Sequence, residues 1–296
     1  MRKNSNIRKT PIILDGAMGT ELINRGIECP LPLWSANANI THPKIVEEIH
    51  LQYVEAGASV ITTNTFRSTK WTYLKVGYNK YDAQEKAKRS LFSAVESAQK
   101  AKSDGVRVAG SITSVEDCYL PEKFPGKAIT EETYGEILEL FSESDLDIIL
   151  FETMGNIHEI RIGLDLSQSI QIPVWLSVIM KDDKHILDGT PIRNVISIIP
   201  SNAINCLLVN CNTLDITMKA IHFMNQEWGG YWGAYPNLGE SDYKNDYFDV
   251  IDTSNFLDGF QSILKNKPDV IGVCCGSTPM HINQLTKLIP AHAFKD

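Results

Sequence analysis

Three cysteines in the second half of the chain fall where apolar runs give way to polar residues. Cys211 is near the end of INCLLVNCN (204–212), and Cys274 and Cys275 stand side by side in VIGVCCG (270–276). Successive side chains on a regular strand face opposite ways, so the adjacent pair can share a target only if the strand breaks, which the following glycine permits. Three thiolates suit zinc, and a catalytic zinc typically keeps a fourth position for substrate. These three residues, the cysteine triad, therefore indicate either a zinc site, buried packing or a redox pair.

The other three cysteines, Cys29, Cys118 and Cys206, are expected to pack as small buried hydrophobes. Cys206 precedes Cys211 by an odd number of positions, so on a regular strand these two side chains point to opposite faces. Irregular spacing of the six cysteines, without an export signal, favours a reducing, cytoplasmic compartment.

Eight apolar runs, rich in β-branched residues, recur along the chain, and segments of helical pattern separate them. In one such segment Pro43 opens a pattern whose shared face holds Ile45, Val46, Ile49 and Tyr53, and Gly57 supplies the stop. Most of the runs lack polar alternation, as expected for parallel strands buried on both faces. Alternating strands and helices predict an α/β protein, a single-domain (β/α)8 TIM barrel, with an open doubly wound sheet as the alternative. The eight runs span residues 12–17, 59–65, 106–112, 147–153, 173–180, 204–212, 229–237 and 270–276.

A barrel of this kind places its catalytic groups at the carboxyl ends of its strands. Two carboxylates, Asp15 and Glu152, stand at such ends, as does the cysteine triad, so these groups are expected to meet at one mouth. The predicted strand ends are Asp15–Gly16, Asn64–Thr65, Ser111, Glu152, Ser177, Asn210–Cys211, Asn237 and Cys274–Cys275.

The charge balance argues against two classes of partner. The 296 residues include 28 Lys and Arg against 36 Asp and Glu, a net charge of −8, which argues against binding to nucleic acid. No apolar run reaches the roughly 18 residues that a membrane span needs. The basic stretch MRKNSNIRK is expected to belong to a flexible tail, residues 1–10, ahead of one domain over residues 11–296.

Seven short motifs, in order and over nearly the whole chain, resemble the homocysteine S-methyltransferase family. This resemblance implies a zinc-bearing (β/α)8 barrel whose Zn²⁺ is held by Cys211, Cys274 and Cys275. The chain departs from the commoner family pattern at Val273 and in GSITSVED (110–117), where further glycines are usual. The matching motifs are ILDGAMGTEL (13–22), PLWSA (32–36), AGASVITTNTF (56–66), FET (151–153), VNC (209–211), YPNLGE (235–240) and CCGSTPMHI (274–282).

The resemblance also implies an amino-acid site and a donor site. Asp15 and Glu152 would receive the ammonium of homocysteine. The turn that contains Gly16 and Ala17 leads towards a helix start, where free backbone amides can hold a carboxylate. An onium donor would need aromatic faces, for which the candidates are Trp34, Phe66 and Tyr235.

The sequence therefore predicts an enzyme that moves a methyl group from a small donor to homocysteine, giving methionine. S-methylmethionine and S-adenosylmethionine are favoured as donors; a separate methyl-corrinoid protein or betaine are the alternatives. Two other classes stay open: a non-catalytic thiol- or metal-binding barrel, and a metal-free lyase with Glu152 as base and Cys211 as nucleophile.

Overall fold

The computed structural model describes residues 10–242 and 247–291, and its centre is a closed barrel of eight parallel strands. The strands follow one another around the barrel in the order β1-β10-β7-β6-β5-β4-β3-β2. A bridge between Leu14 and Val60 closes the ring, with the Asp15 N–H donating to the Val60 carbonyl at 3.0 Å. The barrel strands are β1 (Ile12–Ile13), β2 (Val60–Thr62), β3 (Arg107–Ile112), β4 (Ile148–Met154), β5 (Val174–Val178), β6 (Cys206–Asn210), β7 (Trp232–Tyr235) and β10 (Val270–Ile271). The predicted (β/α)8 barrel is confirmed, and the open sheet is wrong.

Helices cover the outside of the barrel. The helix predicted to open at Pro43 does so, and Val46, Ile49 and Tyr53 are buried on its inner face. Ile45, the fourth residue of the predicted face, packs against the core but is only partly buried. The helices are α1 (Met18–Asn24), α2 (Ala38–Thr41), α3 (Pro43–Glu55), α4 (Lys70–Lys75), α5 (Lys80–Ala101), α6 (Lys127–Ser142), α7 (Ile157–Ser167), α8 (Ile192–Ile198), α9 (Leu214–Glu227), α10 (Thr253–Lys265) and α11 (Pro279–Ala291).

The barrel strands are buried on both faces, which explains the missing alternation in the sequence. On β4, Ile148 and Leu150 point into the barrel, whereas Ile149 and Phe151 pack in the layer between strands and helices. The inward-facing side chains pack into one cluster that fills the barrel interior, so the barrel is a packed core and not a pore. Its buried members are Leu14, Val60, Ala109, Ile148, Leu150, Trp175, Cys206, Leu208, Tyr235 and Val270.

Several predicted strand boundaries are too long at the carboxyl end. β1 ends at Ile13 and β10 at Ile271, before the residues that finish each apolar run. Inter-strand hydrogen bonds continue briefly past both ends, at the N–H groups of Leu14 and Gly272, and buried side chains such as Val273 extend the packing into the loops. The antiparallel pair β8 (Gly239–Asp242) and β9 (Tyr247–Val250) was not expected, since neither segment forms an apolar run.

Two further sequence predictions concern the chain outside the barrel. Within residues 10–242 and 247–291, no helix combines the length and apolarity that crossing a membrane requires. Of the predicted basic tail, residues 1–9 lie outside the described residues.

Candidate active site

The cysteine triad is assembled by two loops at the carboxyl end of the barrel. Cys211 directly follows β6 and adopts a left-handed backbone (φ 55°), which redirects its side chain from the strand's alternation. Cys274 and Cys275 lie beyond the end of β10, in a turn completed by Gly276 at φ 81°. The three Sγ atoms lie within 4.8 Å of one another. The strand break that the adjacent pair requires is therefore present, and it begins just after Ile271.

Amide and hydroxyl groups from neighbouring strands hold Cys211 in place. The Asn210 side-chain amide lies 3.4 Å from the Cys211 sulfur and also donates to Thr153 Oγ1 at 2.8 Å. Thr153, itself at φ 57°, places its hydroxyl 3.6 Å from the same sulfur. Such donors stabilise a thiolate rather than a thiol.

Asn237 joins the two cysteine loops. Its amide group donates to the Cys211 carbonyl at 3.0 Å, and its Oδ1 accepts the Cys275 N–H at 3.2 Å. One side chain therefore fixes the distance between the loops.

The donor set of the triad fits a thiophilic metal. Three sulfurs converge from two loops, and sulfur is the ligand that thiophilic metals prefer. Hydrogen bonds from the Cys211 and Cys274 thiols hold the pKa of Cys275 well below its ordinary value, because they stabilise its thiolate. The contact with Cys211 raises the pKa of Cys274 in turn. Sharing protons in this way leaves a partly anionic cluster, which a divalent cation would complete.

Two carboxyl groups share the cavity with the triad: Asp15 is buried, and Glu152 is partly buried. Asp15 is 4% exposed and accepts the Thr62 N–H at 2.8 Å and its hydroxyl at 2.6 Å. Glu152 accepts hydrogen bonds from the hydroxyls of Ser111 and, at 3.4 Å, of Tyr235. Burial raises the pKa of Asp15 to about 8 and that of Glu152 to about 7, because removal from water penalises the charged form. Both groups therefore change charge near neutral pH.

The turn through Gly16 and Ala17 is packed more tightly than expected. A Cβ on Gly16 would meet Ser277 Oγ at 2.5 Å and the Tyr53 ring at 2.7 Å, so only glycine fits. The Ala17 N–H donates to Ser277 Oγ at 2.9 Å. The loop after β10 thus supplies a partner for the Ala17 amide, and the role of Gly16 and Ala17 towards a substrate carboxylate stays a prediction.

One cavity of about 380 Å³ gathers the predicted site residues. The triad, Asp15 and Glu152 line it, as do Gly16 and Ala17. The volume suits a small-molecule ligand. The three aromatic candidates for the donor also line this cavity: Trp34, Phe66 and Tyr235.

Of the three cysteines expected to pack, two are buried and one is partly buried. Cys206 belongs to the interior cluster of the barrel, and Cys29 is partly covered. Cys118 is buried but also lines the cavity, which its sequence position did not indicate. Burial raises the pKa of Cys118 to about 12, so this thiol stays protonated at neutral pH.

Several polar residues of the site received no role from the sequence. Their common signal is a polar side chain within or just beyond an otherwise apolar strand end, a position that catalytic groups favour in this fold. These residues are Thr62, Arg67, Ser111, Thr153, Asn210 and Asn237.

Known proteins similar to this chain over most of its length include homocysteine S-methyltransferases. The chain is 26% identical over 314 residues to homocysteine S-methyltransferase 2 of Arabidopsis thaliana, covering 93% of this chain and 92% of that one. It is 27% identical over 304 residues to the homocysteine S-methyltransferase of Escherichia coli K12, covering 93% and 94% of the two chains.

A solved structure agrees in fold. The metallated form of the homocysteine methyltransferase MmuM from Escherichia coli superimposes with a TM-score of 0.82 at 24% identity, over 95% of this chain and 97% of that one. The family model for homocysteine S-methyltransferase matches residues 12–289. The resemblance inferred from the seven motifs is confirmed: the chain belongs to the homocysteine S-methyltransferase family.

Proposed function

We propose that this protein transfers a methyl group from an onium donor, S-methylmethionine or S-adenosylmethionine, to homocysteine, with Zn²⁺ bound by Cys211, Cys274 and Cys275. Methyl transfer to homocysteine, giving methionine, is the activity that family membership supports. The observation that carries the proposal is the convergence of three sulfurs and two carboxyl groups on one cavity.

The cysteine triad fits zinc better than a hard cation, because thiolates are soft ligands. Bound there, Zn²⁺ would supply a positive charge that keeps the homocysteine sulfur deprotonated and therefore nucleophilic near neutral pH. Asn237 holds the two loops in register, and the Asn210 amide supports the Cys211 thiolate.

Asp15 and Glu152 would bind the ammonium of homocysteine. Both carboxyl groups have a raised pKa in the unliganded protein, and an incoming cation lowers it again, since it favours the charged form. Two ionised carboxylates then orient the amino acid so that its sulfur points towards the triad.

Methyl transfer itself needs no general base at the reacting atoms. The homocysteine sulfur attacks the methyl carbon of the donor, a new S–CH₃ bond forms, and the bond to the positively charged sulfur breaks. The electron pair stays on the leaving sulfur, which becomes neutral. Trp34, Phe66 and Tyr235 line the cavity and would offer aromatic faces to the cationic donor.

The first test is the substitution Cys274→Ser. It should remove bound zinc and reduce methionine formation from homocysteine and S-methylmethionine to background, because one of three ligands is lost. Metal content by atomic spectroscopy and methionine by chromatography measure the two effects. Cys29→Ser is the matched control, since Cys29 lies outside the triad and should keep both properties.

A donor panel then separates the alternatives. The zinc-loaded protein should form methionine with S-methylmethionine or S-adenosylmethionine. Turnover with only betaine or a methylated corrinoid protein would contradict the proposed donor, and undiminished activity after chelation of zinc would contradict the metal's role.

A further inference from the structure

A buried arginine lines the cavity and has no part in the acceptor site, the proposed homocysteine site formed by the cysteine triad, Asp15 and Glu152. Arg67 follows β2, next to Phe66, and is only 7% exposed. Its guanidinium carbon lies 5.1 Å from the centre of the Phe66 ring. Burial of a permanent charge beside a ligand cavity is costly unless an anion or strong acceptors compensate it.

The bonds of Arg67 use only part of its guanidinium. Nη1 donates to the carbonyl of Ser114 at 3.3 Å and to that of Glu116 at 2.5 Å. Nε is buried without a partner, and no hydrogen bond joins Nη2 to any described residue. The edge formed by Nη2 and Nε is therefore unpaired, and such an edge matches the two oxygens of a carboxylate.

The acidic residues around Arg67 do not neutralise it directly. Among the described side chains, no carboxylate lies within 4.0 Å of the guanidinium. Glu116 instead pairs with Lys75 and accepts the Trp71 N–H at 2.8 Å. Glu159 accepts the Val115 N–H at 2.9 Å, and Asp117, which also lines the cavity, accepts the Tyr119 N–H at 3.0 Å.

Arg67 and the carboxyl pair are held by different parts of the mouth. Asp15 and Glu152 accept hydrogen bonds from Thr62 and Ser111, which belong to β2 and β3. The guanidinium of Arg67 instead bonds the carbonyls of Ser114 and Glu116, in the loop beyond β3. In an amino acid, ammonium and carboxylate share one carbon, so an arginine outside the carboxyl pair is poorly placed for the carboxylate of homocysteine.

We propose that Arg67 binds the carboxylate of the methyl donor, so that the donor is an onium compound that carries its own carboxylate. This inference rests on the proposed function and assigns the donor side of the same cavity. The guanidinium is held by the carbonyls of Ser114 and Glu116. Both carbonyls belong to the segment 110–117, which departs from the family pattern. Arg67 is then a specificity-determining residue, and the reacting methyl group is positioned by a contact at the other end of the donor.

The test measures binding separately from turnover. Zinc-loaded protein is titrated by calorimetry with S-methylmethionine and with its carboxamide, which keeps the sulfonium but lacks the anionic carboxylate. L-homoserine, which has the amino-acid head of homocysteine but no thiol, fills the acceptor site. Wild-type protein should bind the acid on the order of 100-fold more tightly than the amide, because a partly buried charge pair is lost with the amide.

Arg67→Gln should bind the acid about as weakly as the amide, a loss on the order of 100-fold, while its affinity for L-homoserine stays unchanged. Arg67→Lys should retain an intermediate preference, because lysine keeps the charge but not the fork. Arg193→Gln, which removes an exposed arginine on α8, is the matched control and should behave as wild type.

Three outcomes would overturn the assignment: equal binding of acid and amide by wild-type protein, an unchanged preference in Arg67→Gln, or a loss confined to L-homoserine. The first needs no variant and so decides the matter even if Arg67→Gln does not fold. Turnover of the donor panel is judged independently. An Arg67-dependent preference without methionine formation would retain this assignment and refute the proposed function.

Discussion

Asp15 and Glu152 are carboxylic acids that burial keeps protonated close to neutral pH. Their pKa values, about 8 and about 7, lie far above those of exposed carboxyl groups because burial removes both from water, and the charge of Glu152 adds to the rise for Asp15. Among the described residues, no ion pair joins either acid to a cation. If homocysteine binds as proposed, its ammonium group would favour the charged carboxylates and release protons on binding.

Asp15→Asn tests whether Asp15 is protonated in the folded protein near neutral pH. The raised pKa in the folded state favours folding below the ordinary pKa of aspartate, 3.8, and this advantage is lost as pH rises through about 8. The amide has no such loss and can keep both contacts with Thr62. The variant should therefore gain stability over wild type by about 2–4 kcal/mol between pH 4.5 and pH 8.5, measured by urea unfolding. Its KM for homocysteine should rise.

Asp104→Asn is the control, because Asp104 is an exposed aspartate remote in sequence from the mouth. Its stability should stay close to that of wild type, because an exposed side chain far from the site loses no buried contact. A flat difference for Asp15→Asn as well would mean that Asp15 is ionised in the folded protein.

At the level of elements, the site depends on how strands end. Thr153 and Cys211 take left-handed conformations at the ends of β4 and β6, with Gly276 doing so after β10. Each turns the chain so that a side chain faces the mouth rather than continuing the strand's alternation. Asn237, just beyond β7, then joins the loops that follow β6 and β10.

Asn237→Ala should weaken zinc binding by about 10–100-fold, because the two halves of the ligand set lose the group that sets their separation. Competition with a chelator of known affinity measures the change. Asn205→Ala is the matched control: it removes an amide that accepts the Val174 N–H at 3.0 Å at the amino end of the neighbouring strands. Equal zinc affinity of both variants and wild type would contradict the role of Asn237.

At the level of the whole molecule, barrel closure brings the loops that follow the first and last barrel strands together at the mouth. The Ala17 N–H donates to Ser277 Oγ across 260 positions, and the Cys211–Cys274 contact spans 63. A metal held by the triad would tie two loops that belong to different strands, so its binding should stabilise the barrel as a unit.

Zinc should therefore raise the thermal midpoint of the wild-type protein. At a free concentration about 1,000 times its Kd, a ligand bound only by the folded state adds about 4 kcal/mol, which corresponds to roughly 5–10 °C for a chain of this size. Differential scanning calorimetry with and without zinc measures the shift. Cys274→Ser should show no shift; an equal shift in that variant would place the stabilising metal elsewhere.

The sequence by itself determined the barrel, the family and the membership of the cysteine triad. Eight apolar runs predict buried parallel strands because each strand hides both faces, and Cys211, Cys274 and Cys275 follow from residue type at the strand ends. Only the tertiary structure decided where each strand stops, that Ser277 takes the Ala17 amide, and that Asn237 bridges the two loops. It also left one edge of the Arg67 guanidinium unpaired. These are contacts between residues far apart in the chain, and hydrophobic periodicity records burial but not the partner of a polar group.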